Sequence, residues 1–219
     1  MRAAAYYAPE LDDPLWAAGS AWLGRDVESG AALAQPETAR GITAEARLYG
    51  FHATLKAPMR LATSWRALVE DADRLAGEIA PFELPPLAVA ELSGFLALRE
   101  ARASPPLQAL ADRCTEALDR HRAPAGAEEL AKRRAGGLSA AREAMLVQWG
   151  YPSAFATWRF HMTLSCRLDE AARARVRPVA AAWFAEALAL TRRVTSLCLF
   201  TQAAPGAPFM LAERLKLRG

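Results

Sequence analysis

The chain has few of the residues that mark a special redox or binding environment. Among its 219 residues are three cysteines, Cys114, Cys166 and Cys198. That odd, widely spaced set fits neither a disulfide framework nor a Cys-x-x-Cys metal clip. A reducing, cytoplasmic setting is therefore expected. No run of about 18 apolar residues is free of charge, which excludes a membrane span. The segment Met1 to Glu10 turns polar too soon for a secretory signal. No block of five or six like charges offers a polyanion-binding tail. Lysine occurs only at Lys56, Lys132 and Lys216, the other cations being arginines, and histidine only at His52, His121 and His161.

What is present is an ordinary globular composition, 53% hydrophobic and 23% charged. That argues against wholesale disorder and suits one sizeable domain or two lobes sharing a core. A net charge of +3 and a pI of about 9.0 permit an anionic ligand without demanding nucleic acid.

Hydrophobic periodicity and turn residues divide the chain. Strands are expected over 2–8 and 51–61, a hairpin over 87–99 around Ser93-Gly94, and further strands over 158–168, 194–202 and 209–217. Helices are expected over 14–23, 64–80, 104–121, 138–148 and 170–190, the last interrupted at Pro178. Residues 25–47 read as a long polar surface loop, with room for a short helix. That loop shows no firm period, and neither it nor segment 121–137 has a counterpart elsewhere in the chain.

The order of elements repeats. Strand, helix and two strands from residue 51 are followed by strand, helix and two strands from residue 158. Phe51-His52-Ala53-Thr54-Leu55 and Phe160-His161-Met162-Thr163-Leu164 share the pattern Phe-His-x-Thr-Leu. So long a period is no solenoid. It implies two similar lobes about a pseudo-two-fold axis, in a bilobal unit spanning 1–219.

Side chains alternate along a strand. One face of the first motif strand then carries His52, Thr54 and Lys56, and one face of the second carries His161, Thr163, Ser165 and Arg167. The opposite faces are apolar, and Cys166 falls there as an inert core thiol. Imidazole, hydroxyl and cation from each lobe suit the opening of a cyclic phosphodiester. One histidine donates a proton, the other accepts one, and hydroxyls and cations hold the phosphoryl oxygens. This chemistry needs no metal and no cofactor. Tyr49 and Trp158 precede the motifs and are candidates for stacking on a substrate, although packing is the commoner role. His121, at the end of a helix, reads as a solvated residue.

The paired His-x-Thr motifs resemble the 2H phosphoesterase superfamily, which includes RNA 2′,3′-cyclic phosphodiesterases. Residues 49–58, Tyr-Gly-Phe-His-Ala-Thr-Leu-Lys-Ala-Pro, and 15–26 are closer still to its DUF1045 branch of phosphonate-metabolism proteins. The resemblance implies an α+β bilobal fold with two antiparallel-sheet lobes, helices outside and a central groove. It also implies catalytic roles for His52, Thr54, His161 and Thr163, and a small phosphorylated sugar as substrate, with RNA or a nucleotide as the alternative partner. Two other classes stay open. A metallohydrolase would need a third ligand that the polar faces do not offer. A non-catalytic RNA-binding module would need an aromatic-basic stripe that the chain does not show. Oligomeric state, and which histidine is the acid, are not fixed by near-symmetric motifs.

Overall fold

The computed structural model describes all 219 residues. β1 (Arg2–Tyr7) leads into α1 (Pro14–Leu23). Pro14 fixes the first helical turn, and the Asp13 side chain caps it by accepting from the Leu15 N–H at 2.8 Å. The long polar segment folds back through an Arg25–Ala32 bridge and ends in the short α2 (Ala44–Tyr49). Next come β2 (Ala53–Arg60), α3 (Trp65–Gly77), β3 (Phe82–Leu84), β4 (Leu87–Leu92) and β5 (Phe95–Glu100). The Ser64 and Ser104 hydroxyls cap α3 and α4 (Pro105–Leu118).

Segment 121–137, which has no counterpart in the repeat, contains α5 (Ala127–Arg134), and α6 (Ala140–Trp149) follows. The second unit is β6 (Met162–Thr163), α7 (Glu170–Leu188), β7 (Arg192–Val194), β8 (Ser196–Gln202) and β9 (Phe209–Lys216). α7 runs on through Pro178, contrary to the expected interruption. The proline faces solvent, so water can satisfy the carbonyl it leaves unpaired.

The strands form an antiparallel sheet in the order β4-β5-β6-β2-β1-β8-β9, with β3 and β7 as a separate pair. The pseudo-two-fold expected from the repeat is visible in the pairing. β2 meets β6 at Ala53 opposite Met162, equivalent residues of the two motifs. β3 meets β7 through Glu83 opposite Arg193, the middle residues of their strands. The axis runs between these pairs.

One face of the large sheet buries the main core against α3, α4 and α7. Phe51, Phe160 and Phe184 are at most 1% exposed, each contributing about 1.5–3 kcal/mol through burial. The other face has a smaller cluster built on Tyr6, Phe200 and Phe209, and beside it the sheet is left open as a groove.

The expected strand 158–168 shrinks to the two residues of β6. A turn over Phe155–Thr157 precedes it, and beyond it the Cys166 N–H donates to Ile42 of the long segment and the Leu168 N–H to Gly94 of the β4–β5 turn, so no regular ladder forms.

Candidate active site

Ala53 and Met162 point into the main core and are fully buried. Their neighbours His52, Thr54, His161 and Thr163 therefore emerge on the open face, and all four line one groove of about 720 Å³. Extending the antiparallel pair by one residue each way sets His52 across from Thr163 and Thr54 across from His161. The two histidines are then diagonal neighbours, about 7–8 Å apart along the diagonal with their Cβ atoms somewhat closer.

Each imidazole is oriented by a carbonyl two residues upstream. His52 Nδ1 lies 2.9 Å from the Gly50 oxygen, and His161 Nδ1 lies 2.8 Å from the Arg159 oxygen. A carbonyl only accepts, so Nδ1 carries the proton in both rings and Nε2 keeps the lone pair. Thr54 Oγ1 lies 3.3 Å from His52 Nε2 and can donate to it.

Gly50 has the conformation that makes the first of these bonds possible. Its φ is 79°, and a Cβ there would run into the Val27 side chain.

The surroundings of the two rings differ. His52 stacks on Tyr6 at 3.7 Å between centroids, with Phe200 at 6.2 Å and Tyr49 at 6.4 Å. Burial pushes its pKa down to about 4, with the neighbouring His161 adding to the effect and the Gly50 bond opposing it. His161 has Phe95 edge-on at 5.8 Å. Burial lowers its pKa as well, the Arg159 carbonyl opposes this, and the Arg99 charge lowers it further.

Several sequence expectations are corrected. Lys56 does not reach the groove. β2 bulges against β1, with Tyr6 opposite Thr54 but Ala5 opposite Lys56, so the alternation slips after Thr54. Lys56 joins the core-facing side, 5% exposed, and donates to Asp119 Oδ1 at 2.8 Å and to the Thr115 carbonyl at 3.1 Å. Ala57 and Pro58 take its place on the groove wall.

The second motif slips at the same place, because regular strand ends at Thr163. Ser165 borders the groove, but it is buried and its hydroxyl is engaged by the backbone. It accepts from the Leu96 N–H at 3.0 Å and donates to the Cys166 carbonyl at 2.8 Å. Cys166, expected in the core, is half-buried and lines the groove.

Arg167 is exposed and lines the groove as expected. Tyr49 also lines it, stacked on Phe209 at 5.2 Å between centroids. Trp158 does not. It is 7% exposed in the main core and donates from Nε1 to the Thr54 carbonyl at 2.8 Å, which makes it a brace behind the first motif.

His121, expected to be solvated, is 1% exposed. Its Nε2 bonds Asp71 Oδ2 at 2.8 Å and its Nδ1 bonds Thr63 Oγ1 at 2.6 Å, away from the groove. Burial and the nearby Arg120 and Lys56 charges lower its pKa.

Sequence reasoning missed Tyr6, which sits one strand away from the residue it stacks on. It also missed the groove wall from α5, signalled only by the order Glu128-Glu129 before Lys132-Arg133-Arg134, acids first and bases last. No group of three His, Cys, Asp or Glu side chains converges as a metal cluster, and no helix is long and apolar enough to cross a membrane.

A family model described as a protein of unknown function, DUF1045, matches residues 54–210. The chain belongs to the DUF1045 family. The match begins at Thr54 and takes in His161 and Thr163.

Beyond DUF1045 itself, the chain is 38% identical to the ribose 1,5-bisphosphate phosphokinase PhnN of Janthinobacterium sp. (strain Marseille) over 231 residues, covering 100% of this chain and 51% of that protein. It is 39% identical over 220 residues to the protein of the same name from Laribacter hongkongensis (strain HLHK9), covering 97% of this chain and 51% of that protein. The chain thus spans about half the length of the curated relatives it matches.

Among solved structures it is similar to a phosphoesterase, with a TM-score of 0.43, 15% identity and coverage of 100% of this chain and 99% of the other. It is also similar to E. coli LigT complexed with NADP+, with a TM-score of 0.42, 13% identity and coverage of 100% and 98%.

Proposed function

We propose that this chain is a metal-independent cyclic phosphodiesterase acting on a cyclic phosphate of a phosphorylated ribose. One observation carries the reading. Two imidazoles with the same tautomer, Nδ1–H held by a carbonyl and Nε2 keeping its lone pair, stand diagonally across one groove beside two threonine hydroxyls. That is the equipment for in-line attack on a phosphorus centre between them.

His52 is the base. Ringed by Tyr6, Phe200 and Tyr49, it stays neutral at pH 7, and its Nε2 takes a proton from water as the water oxygen bonds to phosphorus. His161 is the acid. Its charged form gains from a bound phosphate anion, and its Nε2–H passes to the ring oxygen as the P–O bond breaks. One water is consumed, and a phosphomonoester and a free hydroxyl result. Thr54 and Thr163 donate to the non-bridging oxygens, where charge builds in the transition state.

The substrate class rests on the relatives. Their name describes phosphorylation of ribose 1,5-bisphosphate, and this chain spans only about half of their length. The Gly-x4-Gly-Lys-Ser/Thr loop of P-loop kinases is absent, since none of the three lysines follows a glycine. The kinase step is therefore assigned to the part of those proteins that this chain does not span. Opening a 1,2-cyclic phosphate on ribose 5-phosphate would yield the bisphosphate named in their activity.

The test is a screen of cyclic phosphodiesters with a chelator present, from ribose cyclic phosphates to short RNA ending in a 2′,3′-cyclic phosphate. His52→Ala and His161→Ala serve as controls. Turnover of a ribose cyclic phosphate is expected in the chelator, falling about 10²–10⁴-fold in each variant. Preference for the RNA end would replace the sugar substrate with the alternative. Wild-type rates in both variants would end the proposal.

A further inference from the structure

The histidines occupy only part of the groove. Four cations line it, Arg2, Lys132, Arg133 and Arg167, against two carboxylates, Glu45 and Glu129. They are not spread evenly. Running along β2 from His52, the groove floor passes Thr54 and the His161 across from it, then Ala57 and Pro58, towards Arg60. Arg2 pairs with Arg60 in the sheet and so stands at that far end. Lys132 and Arg133 of α5 reach the same wall, where Arg133 and Tyr151 also border a small cavity lined by Pro58 and Arg60. Arg167 stands at the opposite end, because β6 runs antiparallel to β2.

Arg133 is held in place. It donates to Glu129 Oε1 at 2.8 Å, and its guanidinium lies over the Tyr151 ring at 5.5 Å. Its Nε–H is buried without an acceptor. Of the four cations only Arg133 is ion-paired, and Lys132 is exposed and free to follow a ligand. Pro58 is four residues from Thr54, about 13 Å along the strand. The cationic end is therefore beyond the reacting phosphorus but within the span of one sugar and long side chains reaching back.

The geometry points to a second anion subsite at this end, formed by Lys132 and Arg133 of α5 with Arg2, that binds a terminal phosphate on the substrate. This rests on the cyclic phosphodiesterase reading and deepens it, because the subsite selects substrates that carry a phosphomonoester as well as the cyclic diester. α5 has no counterpart in the other half of the repeat, which explains how a near-symmetric groove accepts an asymmetric substrate in one orientation. The guanidinium and ammonium groups suit a doubly charged phosphate, through charge-assisted hydrogen bonds from Arg133 and a mobile point charge from Lys132.

Two measurements test it. In the first, calorimetry measures ribose 5-phosphate binding to the wild type and to a Lys132→Ala/Arg133→Ala variant. α5 buries no side chain, so the variant should fold, and circular dichroism checks this. Loss of the two contacts should weaken binding by about tenfold or more. Equal affinity in the two proteins, or no binding by the wild type at millimolar concentration, would overturn the subsite.

In the second, kcat and KM are compared for a ribose cyclic phosphate with and without a 5-phosphate. The wild type should favour the 5-phosphate through KM, and the double variant should lose that preference while keeping kcat on the simpler compound. An undiminished preference in the variant would also overturn the subsite. The two readings fail separately. Binding that depends on α5 without turnover of any cyclic phosphodiester would leave the subsite standing and remove the reaction. Turnover without binding that depends on α5 would do the reverse.

Discussion

The two motifs are equivalent in sequence, and the protein supports them differently. Residue by residue, Tyr49 corresponds to Trp158, Gly50 to Arg159, Phe51 to Phe160 and His52 to His161. Both phenylalanines anchor in the same core, and both histidines donate Nδ1–H to the carbonyl two residues before them. The flanking aromatics part company. Tyr49 opens onto the groove, whereas Trp158 turns inward and braces Thr54. The first histidine lies under a tyrosine with two further aromatic rings around it, and the second has a single phenylalanine edge beside it. A duplicated motif has thus been given two environments: burial lowers the pKa of both imidazoles, and the aromatic enclosure of His52 takes it down to about 4.

The comparison breaks hardest at the residue that carries the orienting carbonyl. Gly50→Ala places a Cβ against Val27 at a φ of 79°. It should destabilise the fold by about 3 kcal/mol, combining backbone strain with overpacking. Arg159→Ala at the equivalent position keeps the carbonyl and removes only an exposed side chain, with a change within about 0.5 kcal/mol. Chemical denaturation of the two variants measures both. Equal losses would show that the Gly50 conformation is not what orients His52.

A second difference is in pH dependence. His52 is depressed to about 4 when folded, against about 6.5 when unfolded. The unfolded chain therefore binds more protons between these values, and folding stability falls as pH drops through that window. Relative to a His52→Gln variant, the wild type should lose about 2 kcal/mol more between pH 7 and pH 5. Tyr6→Ala lets water reach the ring, so the His52 pKa should rise towards its ordinary value, read by NMR titration. Phe95→Ala beside His161 should move that ring less. An unchanged His52 in Tyr6→Ala would remove the environmental asymmetry.

The smallest effect concerns the flanking aromatics. Trp158→Phe removes the Nε1–H donor and leaves the Thr54 carbonyl without it, which should lower stability by about 1 kcal/mol. Tyr49→Phe keeps the ring on Phe209 and should change stability by less than about 0.5 kcal/mol. The reverse order would mean that Tyr49, not Trp158, braces the motif.

These contrasts also show how far the sequence could be read. Phe-His-x-Thr-Leu occurs twice with apolar residues at every second position, so the core-facing and groove-facing sides of each motif were legible through Thr54 and Thr163. The Ser93-Gly94 hairpin and the starts of the helices at Ser64 and Ser104 were legible because their signals are local.

Lys56 was misplaced because the bulge that turns it away is set by pairing with Ala5 and Tyr6, about fifty residues upstream. His121 looked solvated because its partners, Asp71 and Thr63, lie on and just before α3. The stretch 158–168 looked like a full strand because its apolar residues, Phe160 and Leu164 among them, are buried by tertiary packing without continuous strand pairing. Periodicity reports burial, and only neighbours distant in sequence decide whether buried backbone becomes a ladder.

Whether the two imidazoles serve one phosphorus centre is tested most directly by a double-mutant comparison of turnover in a chelator. The account predicts that His52→Ala, His161→Ala and the double variant all fall to a similar residual rate, because removing either partner disables the same step. Losses that multiply in the double variant, or a wild-type rate in either single one, would contradict it.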